Sequence, residues 1–253
     1  FQPDEEGDAG ARKMVENGVL ENPKVDKAFA IHVWSELKED TIAIKEGAVM
    51  ASSDPYNITV YGKGGHAAMP EKCVDTIYIA NKIGIALKEM AKINVTSDEK
   101  AIIGVTAIHG GKTNNVIPDT VSMKGICRTN NNNIRKESKE KIKTTVENIA
   151  NKMGGKAEVE FLVEYPVVEN SRQEAKELQE IARKVVNEVN TTYQTTASED
   201  FSYYLEKVPG VMMHVGCQKE NFYPQHSEEF EVGENPILIG TQIFYEITKK
   251  YLM

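Results

Sequence analysis

Two adjacent glutamates, Glu5 and Glu6, stand in the opening run FQPDEEGDAG, with Gly7 and Gly10 close behind. Neighbouring side chains on a strand point to opposite faces, so the pair can converge on one site only where a strand breaks into a loop, and EEGDAG supplies that break. Two converging carboxylates can divide the labour of hydrolysis: one ligates a metal ion, and the other takes a proton from water the metal activates. The plainer explanation is a solvated acidic turn ahead of a helix, which the helix dipole favours. Taken alone, the pair fits that explanation better.

The five histidines are His32, His66, His109, His214 and His226. His32 in AFAIHVW and His214 in VMMHVG lie in apolar runs, where a histidine is more often a hydrogen-bonded core residue than a ligand. His226 sits in the polar run YPQHSEEF, free to point into a cleft. His66 follows GKGG, whose small residues let another group approach the backbone; its plainer role is a surface turn. Two phosphate-loop lookalikes fail. HGGKTNN carries Gly111-Lys112-Thr113 but has Thr106 where a P-loop needs glycine, and Pro118 forbids the following helix. No G-x-S-x-G elbow is present for a serine hydrolase.

The elements that must position these residues follow from periodicity. Asp8 is placed to cap a helix through Met14 and Val15 that closes at Gly18. Strand patterns cover 27–34, 57–64, 101–110, 120–129, 156–168 and 210–216, and helical patterns cover 74–93, 133–155, 170–189, about 200–207 and the C-terminal run from Asn235. Ser171 with Glu174 reads as a capping box. The stretch after the breakers Ser52 to Pro55 runs β-α-β-β-α-β, the ferredoxin-like order. The expected organisation is therefore residues 1–52, an inserted unit 53–168, and residues 169–253.

Composition narrows the function classes. A net charge of −8 without a basic stripe argues against a nucleic-acid partner. Cys73, Cys127 and Cys217 are far apart and form no C-x-x-C pair, which suits a reducing, cytoplasmic setting rather than a disulfide framework. No apolar run reaches the roughly 18 residues that span a bilayer. The first residue is Phe, and Met14 falls inside a helical pattern, so an upstream segment is expected to be missing.

Seven motifs, in order, carry a family likeness: FQPDEEGDAGA, IHVW, GKGGHAAMP, GGKTNNVIPD, CRT, SEDFSYYLEKVPG and YPQHSEEF. The chain resembles the M20 metallopeptidases from Phe1 to its last helix. It is most similar to their amidohydrolase branch, which includes hippurate hydrolases, N-acyl-amino-acid amidohydrolases and N-acetyldiaminopimelate deacetylases. The resemblance implies an α/β fold: a zinc-peptidase-like catalytic domain, incomplete here, interrupted by a ferredoxin-like lid that dimerises. It implies Glu5 as general base, with Glu6, His32 and His226 as metal ligands. His66 would polarise the scissile carbonyl, and Asn115 and Arg128 would bind substrate. It further implies two divalent ions in a full-length enzyme (Zn, Mn, Co or Ni), and one or none in this chain.

Two departures accompany the likeness. The branch's upstream H-x-C-G-H ligand segment has no counterpart, and Ala197 and Ser198 stand where the branch carries glycines before EDF. Glu199 and Asp200 are sufficiently explained as acids at a helix N-terminus. The implied activity is hydrolysis of an N-acyl amino acid, acetyl or aryl-acyl, by a homodimer that needs neither membrane nor nucleic acid. This chain by itself would be inactive. The rival expectations are a non-catalytic dimerisation module and a dipeptidase or carboxypeptidase of the same family.

Overall fold

The computed structural model describes residues 2–90, 101–219 and 223–253, and the chain divides into two compact units. Residues 91–93 of the helical pattern over 74–93 lie outside the described residues, as do residues 220–222 of the loop before His226. Among the described residues no helix is long and apolar enough to cross a membrane.

The first unit comprises Phe1–Met50, Val168–Thr195 and Glu199–Met253. The second comprises Ala51–Val167 with Thr196–Ser198. In chain order the elements of the first half are α1 (Gly10–Glu16), β1 (Ala28–Lys38), β2 (Thr41–Ala43), β3 (Gly47–Met50), β4 (Asp54–Tyr61), β5 (Gly65–His66), α2 (Thr76–Met90), β6 (Ala101–Gly110), β7 (Val116–Ile117) and β8 (Thr120–Thr129). They continue with α3 (Asn132–Lys152), β9 (Lys156–Phe161), β10 (Val168–Asn170), α4 (Arg172–Ala182), β11 (Glu188–Asn190), α5 (Ser202–Leu205), β12 (Gly210–Gln218) and α6 (Glu234–Leu252).

The first unit is built on a sheet of order β1-β12-β2-β11. β1 and β12 run parallel, with His32 opposite His214. β12 is buried along nearly its whole length. An unbroken apolar run such as VMMHV suits a strand covered on both faces, where alternation would leave polar groups inside. The core joins Val211, Met213 and Val215 to Leu178 and Ala182 of α4 and to Ile239, Ile243 and Ile247 of α6. On each helix the spacing of four keeps these residues on one stripe.

The second unit is a four-stranded antiparallel sheet, β6-β8-β4-β9. With α2 and α3 this is the ferredoxin-like arrangement. β4 alternates strictly, sending Tyr56, Ile58 and Val60 inward against Ile79, Ile83 and Leu87 of α2 and Ile142 and Val146 of α3. Gly125 of β8 has no room for a side chain, since a Cβ there would stand 2.3 Å from the Tyr56 ring. Asp54, wholly buried, accepts from Arg135 Nε at 2.9 and 3.0 Å, and Arg135 also reaches Glu164 at 2.9 Å. Removing the guanidinium would leave that carboxylate buried without its cation. Arg135→Ala is expected to cost about 3–5 kcal/mol in urea unfolding, well beyond a surface ion pair.

Four local readings are corrected by the structure. Asp8 does not cap α1; Ala9 is its N-cap residue, and the buried Ala11 N–H goes to Asp200 Oδ2 at 2.8 Å. Ser171 precedes α4 but makes no capping-box bond: its hydroxyl accepts the Gly210 N–H at 3.0 Å, and Glu174 pairs with Lys27. The Ser171 N–H also donates to Gly210 O at 3.0 Å, so the residue ties the start of α4 to the start of β12. The helical pattern over 170–189 stops at Ala182, because Glu188–Asn190 pairs with β2 as β11. The strand pattern over 156–168 likewise divides into β9 and β10.

Candidate active site

Glu5 and Glu6 lie on a turn between two residues of left-handed backbone, Asp4 (φ 61°) and Ala9 (φ 54°). Local bonds hold the turn: Gly10 N–H donates to Asp4 O at 3.3 Å and Asp8 N–H to Asp4 Oδ2 at 3.1 Å. Gly10 is required by close approach, since a Cβ would sit 1.7 Å from the Pro3 carbonyl oxygen. The strand-breaking turn lets adjacent carboxylates aim other than to opposite faces.

β1 supplies His32. Its Nδ1 lies 2.6 Å from the Val33 carbonyl oxygen. A carbonyl only accepts, so Nδ1 is the donor, which in the neutral ring leaves the Nε2 lone pair available, the usual arrangement of a metal-ligating imidazole. Gln225 ties the following loop to the same strand: its Nε2 donates to Val33 O at 2.8 Å, and Ser35 Oγ donates to its Oε1 at 3.1 Å. Its neighbour His226 is exposed and left-handed (φ 67°), with Nδ1 3.6 Å from Glu6 Oε1. Non-glycine residues adopt that backbone rarely, and such positions concentrate at functional sites.

Glu5 is half-buried. Burial pushes its carboxyl up, the charges of Asp200 and Glu6 add to this, and His32 opposes it. Glu6 and His226 are thus neighbours, and Glu5 feels Glu6 and His32; among the described residues the ligand atoms of Glu6, His32 and His226 do not all lie within 4.8 Å of one another. Two acids beyond those carried over from the motifs join Glu5: Glu199 and Asp200 place carboxylate oxygens within 4.8 Å of it and of each other. Burial, then Glu5 and Asp200, push Glu199 up to about 8. The adjacent acids of SEDF were visible in sequence as acids at a helix N-terminus; Glu199 accepts the Phe201 N–H there at 3.5 Å, whereas the Asp200 carboxylate serves other segments. Asp200 binds Ala11 of α1 rather than the first turn of its own helix.

His214, opposite His32, is 1% exposed. Burial and His32 push it down to about 3, so it stays neutral. It packs edge-on to Trp34 at 4.7 Å, whose indole N–H donates to Tyr193, which in turn donates to Glu36 at 2.7 Å.

Within the second unit, the short β5–β7 ribbon sets His66 opposite Val116, and the Ala67 N–H donates to Asn115 O at 3.0 Å. Ala68 N–H donates to His66 Nδ1 at 3.1 Å, so the neutral ring carries its proton on Nε2. Thr113 Oγ donates to Asn115 Oδ1 at 2.8 Å, leaving the Asn115 amide N–H groups as donors. Arg128 donates one N–H to Thr196 O at 3.0 Å, and burial lowers its pKa.

The profile of peptidase family M20/M25/M40 matches residues 1–250. The chain belongs to this family. Similar proteins include the thermostable carboxypeptidase 2 of Saccharolobus solfataricus, 33% identical over 249 residues that cover 95% of this chain and 62% of that protein. The N-acetylcysteine deacetylase of Bacillus subtilis is 34% identical over 247 residues, 98% of this chain and 64% of that one. Among solved structures, a dinuclear metal-binding peptidase of family M20 from Bacillus subtilis superposes with a TM-score of 0.82 at 31% identity, covering all of this chain and 64% of its own. The chain thus spans under two thirds of the length of these M20 proteins. Its own donor set suits a divalent ion: an imidazole with a free Nε2 at His32, and an imidazole and a carboxylate side by side at His226 and Glu6.

Proposed function

We propose that the protein hydrolyses the amide bond of N-acyl amino acids, acetyl or aryl-acyl, releasing a carboxylate and a free amino acid. The observation that carries this is Glu5, a half-buried carboxylate beside Glu6 and His32, with His226 3.6 Å from Glu6. Glu6, His32 and His226 would hold the metal. A divalent ion, when bound, supplies Lewis-acid polarisation and makes water a nucleophile near neutral pH. Nitrogen and oxygen donors suit Zn²⁺, Mn²⁺, Co²⁺ or Ni²⁺, and a pair of ions in the whole enzyme.

Glu5 takes the proton of the attacking water and returns it to the leaving amine. A carboxyl raised by burial is better matched to that exchange near neutral pH than a fully solvated one. His66, through its Nε2–H, and the Asn115 amide are the donors for the oxyanion; losing one such donor typically costs roughly 3 kcal/mol of the barrier. Arg128 offers a planar fork for the α-carboxylate of the substrate. The second unit would act as lid and as the homodimer contact, where the edge strand β6 exposes Ile102 and Ile108.

A second reading, peptide cleavage at a C-terminal residue, is favoured by the similarity to the archaeal carboxypeptidase. The test is turnover by the whole protein of N-acetyl and N-benzoyl amino acids alongside blocked dipeptides, with and without chelator. Chelator-sensitive release of the free amino acid is expected. Turnover that ignores the chelator, or is confined to dipeptides, overturns the proposal.

A further inference from the structure

Bonds to Asp4 shape the turn that carries Glu5 and Glu6, and all of these are local. Residues 2–9 form no helix or strand, and two of them adopt left-handed backbone. A general base must nevertheless be fixed to a fraction of an ångström to be useful. Something far away in the chain has to anchor it, and one side chain meets the segment at both ends.

That side chain is Asp200, which is 0% exposed. Its Oδ1 accepts from Gln2 Nε2 at 2.7 Å, 198 residues away. Its Oδ2 accepts from the Ala11 backbone N–H at 2.8 Å, 189 residues away. Its own backbone N–H donates to the Glu5 carboxylate. Tyr204, a turn later, adds a hydroxyl bond to Gln2 Oε1 at 3.2 Å. Gln2, Glu5 and Ala11 are thus pinned to a single residue. Hydrogen bonds to a charged acceptor inside the protein are the strong kind, and a buried acceptor left unfilled is costly.

We propose that Asp200 is a positioning residue that holds the Glu5–Glu6 turn in its working geometry from the opposite end of the chain. This rests on the hydrolase reading for its catalytic meaning, but the anchoring itself does not. An acid merely stabilising its own helix would bind the first turn of α5. Asp200 instead binds the N-terminal turn of α1 and the side chain of Gln2.

The test compares Asp200→Asn with the unsubstituted whole protein. The carboxamide has nearly the same shape but presents N–H groups where one of the two donors now binds. Backbone hydrogen exchange is read by peptide. Exchange over residues 2–16 is expected to rise about tenfold or more, with β1 and β12 unchanged. In the same variant kcat is expected to fall about a hundredfold, with KM within about threefold. Unchanged exchange over 2–16, or faster exchange spread equally over β1 and β12, overturns the proposal. Should Asp200→Asn fail to fold, Gln2→Ala removes one anchor only: a rise of about threefold over residues 2–11 supports the proposal and no rise overturns it. If the unsubstituted protein hydrolyses no acyl amino acid, the functional reading fails, while the exchange comparison still judges the anchor.

Discussion

Substituting Glu5 by glutamine is expected to lower kcat/KM for an N-acyl amino acid by about 10²- to 10⁴-fold, the range a general base contributes. The change is close to isosteric. The amide carbonyl can still accept the Asp200 backbone N–H that now binds the Glu5 carboxylate. What is lost is the capacity to take up a proton. Folding should not suffer. Glu5 lies within 4.8 Å of Glu199 and Asp200, and its carboxyl is already raised by burial and by like charge, so neutralising it relieves repulsion. Steady-state kinetics paired with a thermal melt separates the two effects: activity should collapse while the melting temperature holds or rises. Turnover that survives the substitution would refute the assignment of Glu5 as the base.

Glu199 offers the second large effect, on stability rather than rate. Its carboxyl is raised from about 4.5 to about 8, first by burial and then by Glu5 and Asp200. The hydrogen bond between Glu199 and Asp200 raises the first and lowers the second, so the shared proton resides on Glu199. Between these two values the folded protein holds a proton that the unfolded chain releases. Glu199 therefore contributes its full stability below pH 4.5, and this is lost as pH rises through about 8, at up to ~1.4 kcal/mol per pH unit. Glu199→Gln mimics the protonated form at every pH. In metal-free protein it should match the unsubstituted chain near pH 4.5 and exceed its stability at pH 8 and above. Urea unfolding at three pH values measures this. Parallel pH profiles for the two proteins would count against the buried, protonated state of Glu199.

The anchoring of the Glu5–Glu6 turn and the protonation of Glu199 are aspects of one cluster. Burial raises the Asp200 carboxyl, and the bonds it receives from Ala11, Gln2 and Glu199 oppose that. Both acids of SEDF are raised by burial, but the hydrogen bond between them raises Glu199 further and lowers Asp200.

Much of the fold can be read from the chain. β-branched residues in AIIGVTAIHG and TVSMKGICRT mark β6 and β8 over the residues they occupy, and helical spacing marks α2 and α3. The β-α-β-β-α-β order of the second unit follows from those patterns. So does the chemistry of the opening turn, since adjacent glutamates before small residues and scattered histidines are visible as residue types and motifs. β2, β3, β10 and β11 are not legible: each has only three or four residues, too few to show a period, and each exists because a partner strand offers its ladder. Asp8 and the Ser171–Glu174 pair look like caps, yet the bonds go elsewhere, because Asp200 and Gly210 arrive from distant segments. The same is true of the acid cluster. Local sequence sets which backbone a segment prefers and which groups it carries. Only folding brings Asp200 from nearly two hundred residues away to Gln2 and Ala11, and hydrogen bonds and desolvation act on distance in space, not along the chain.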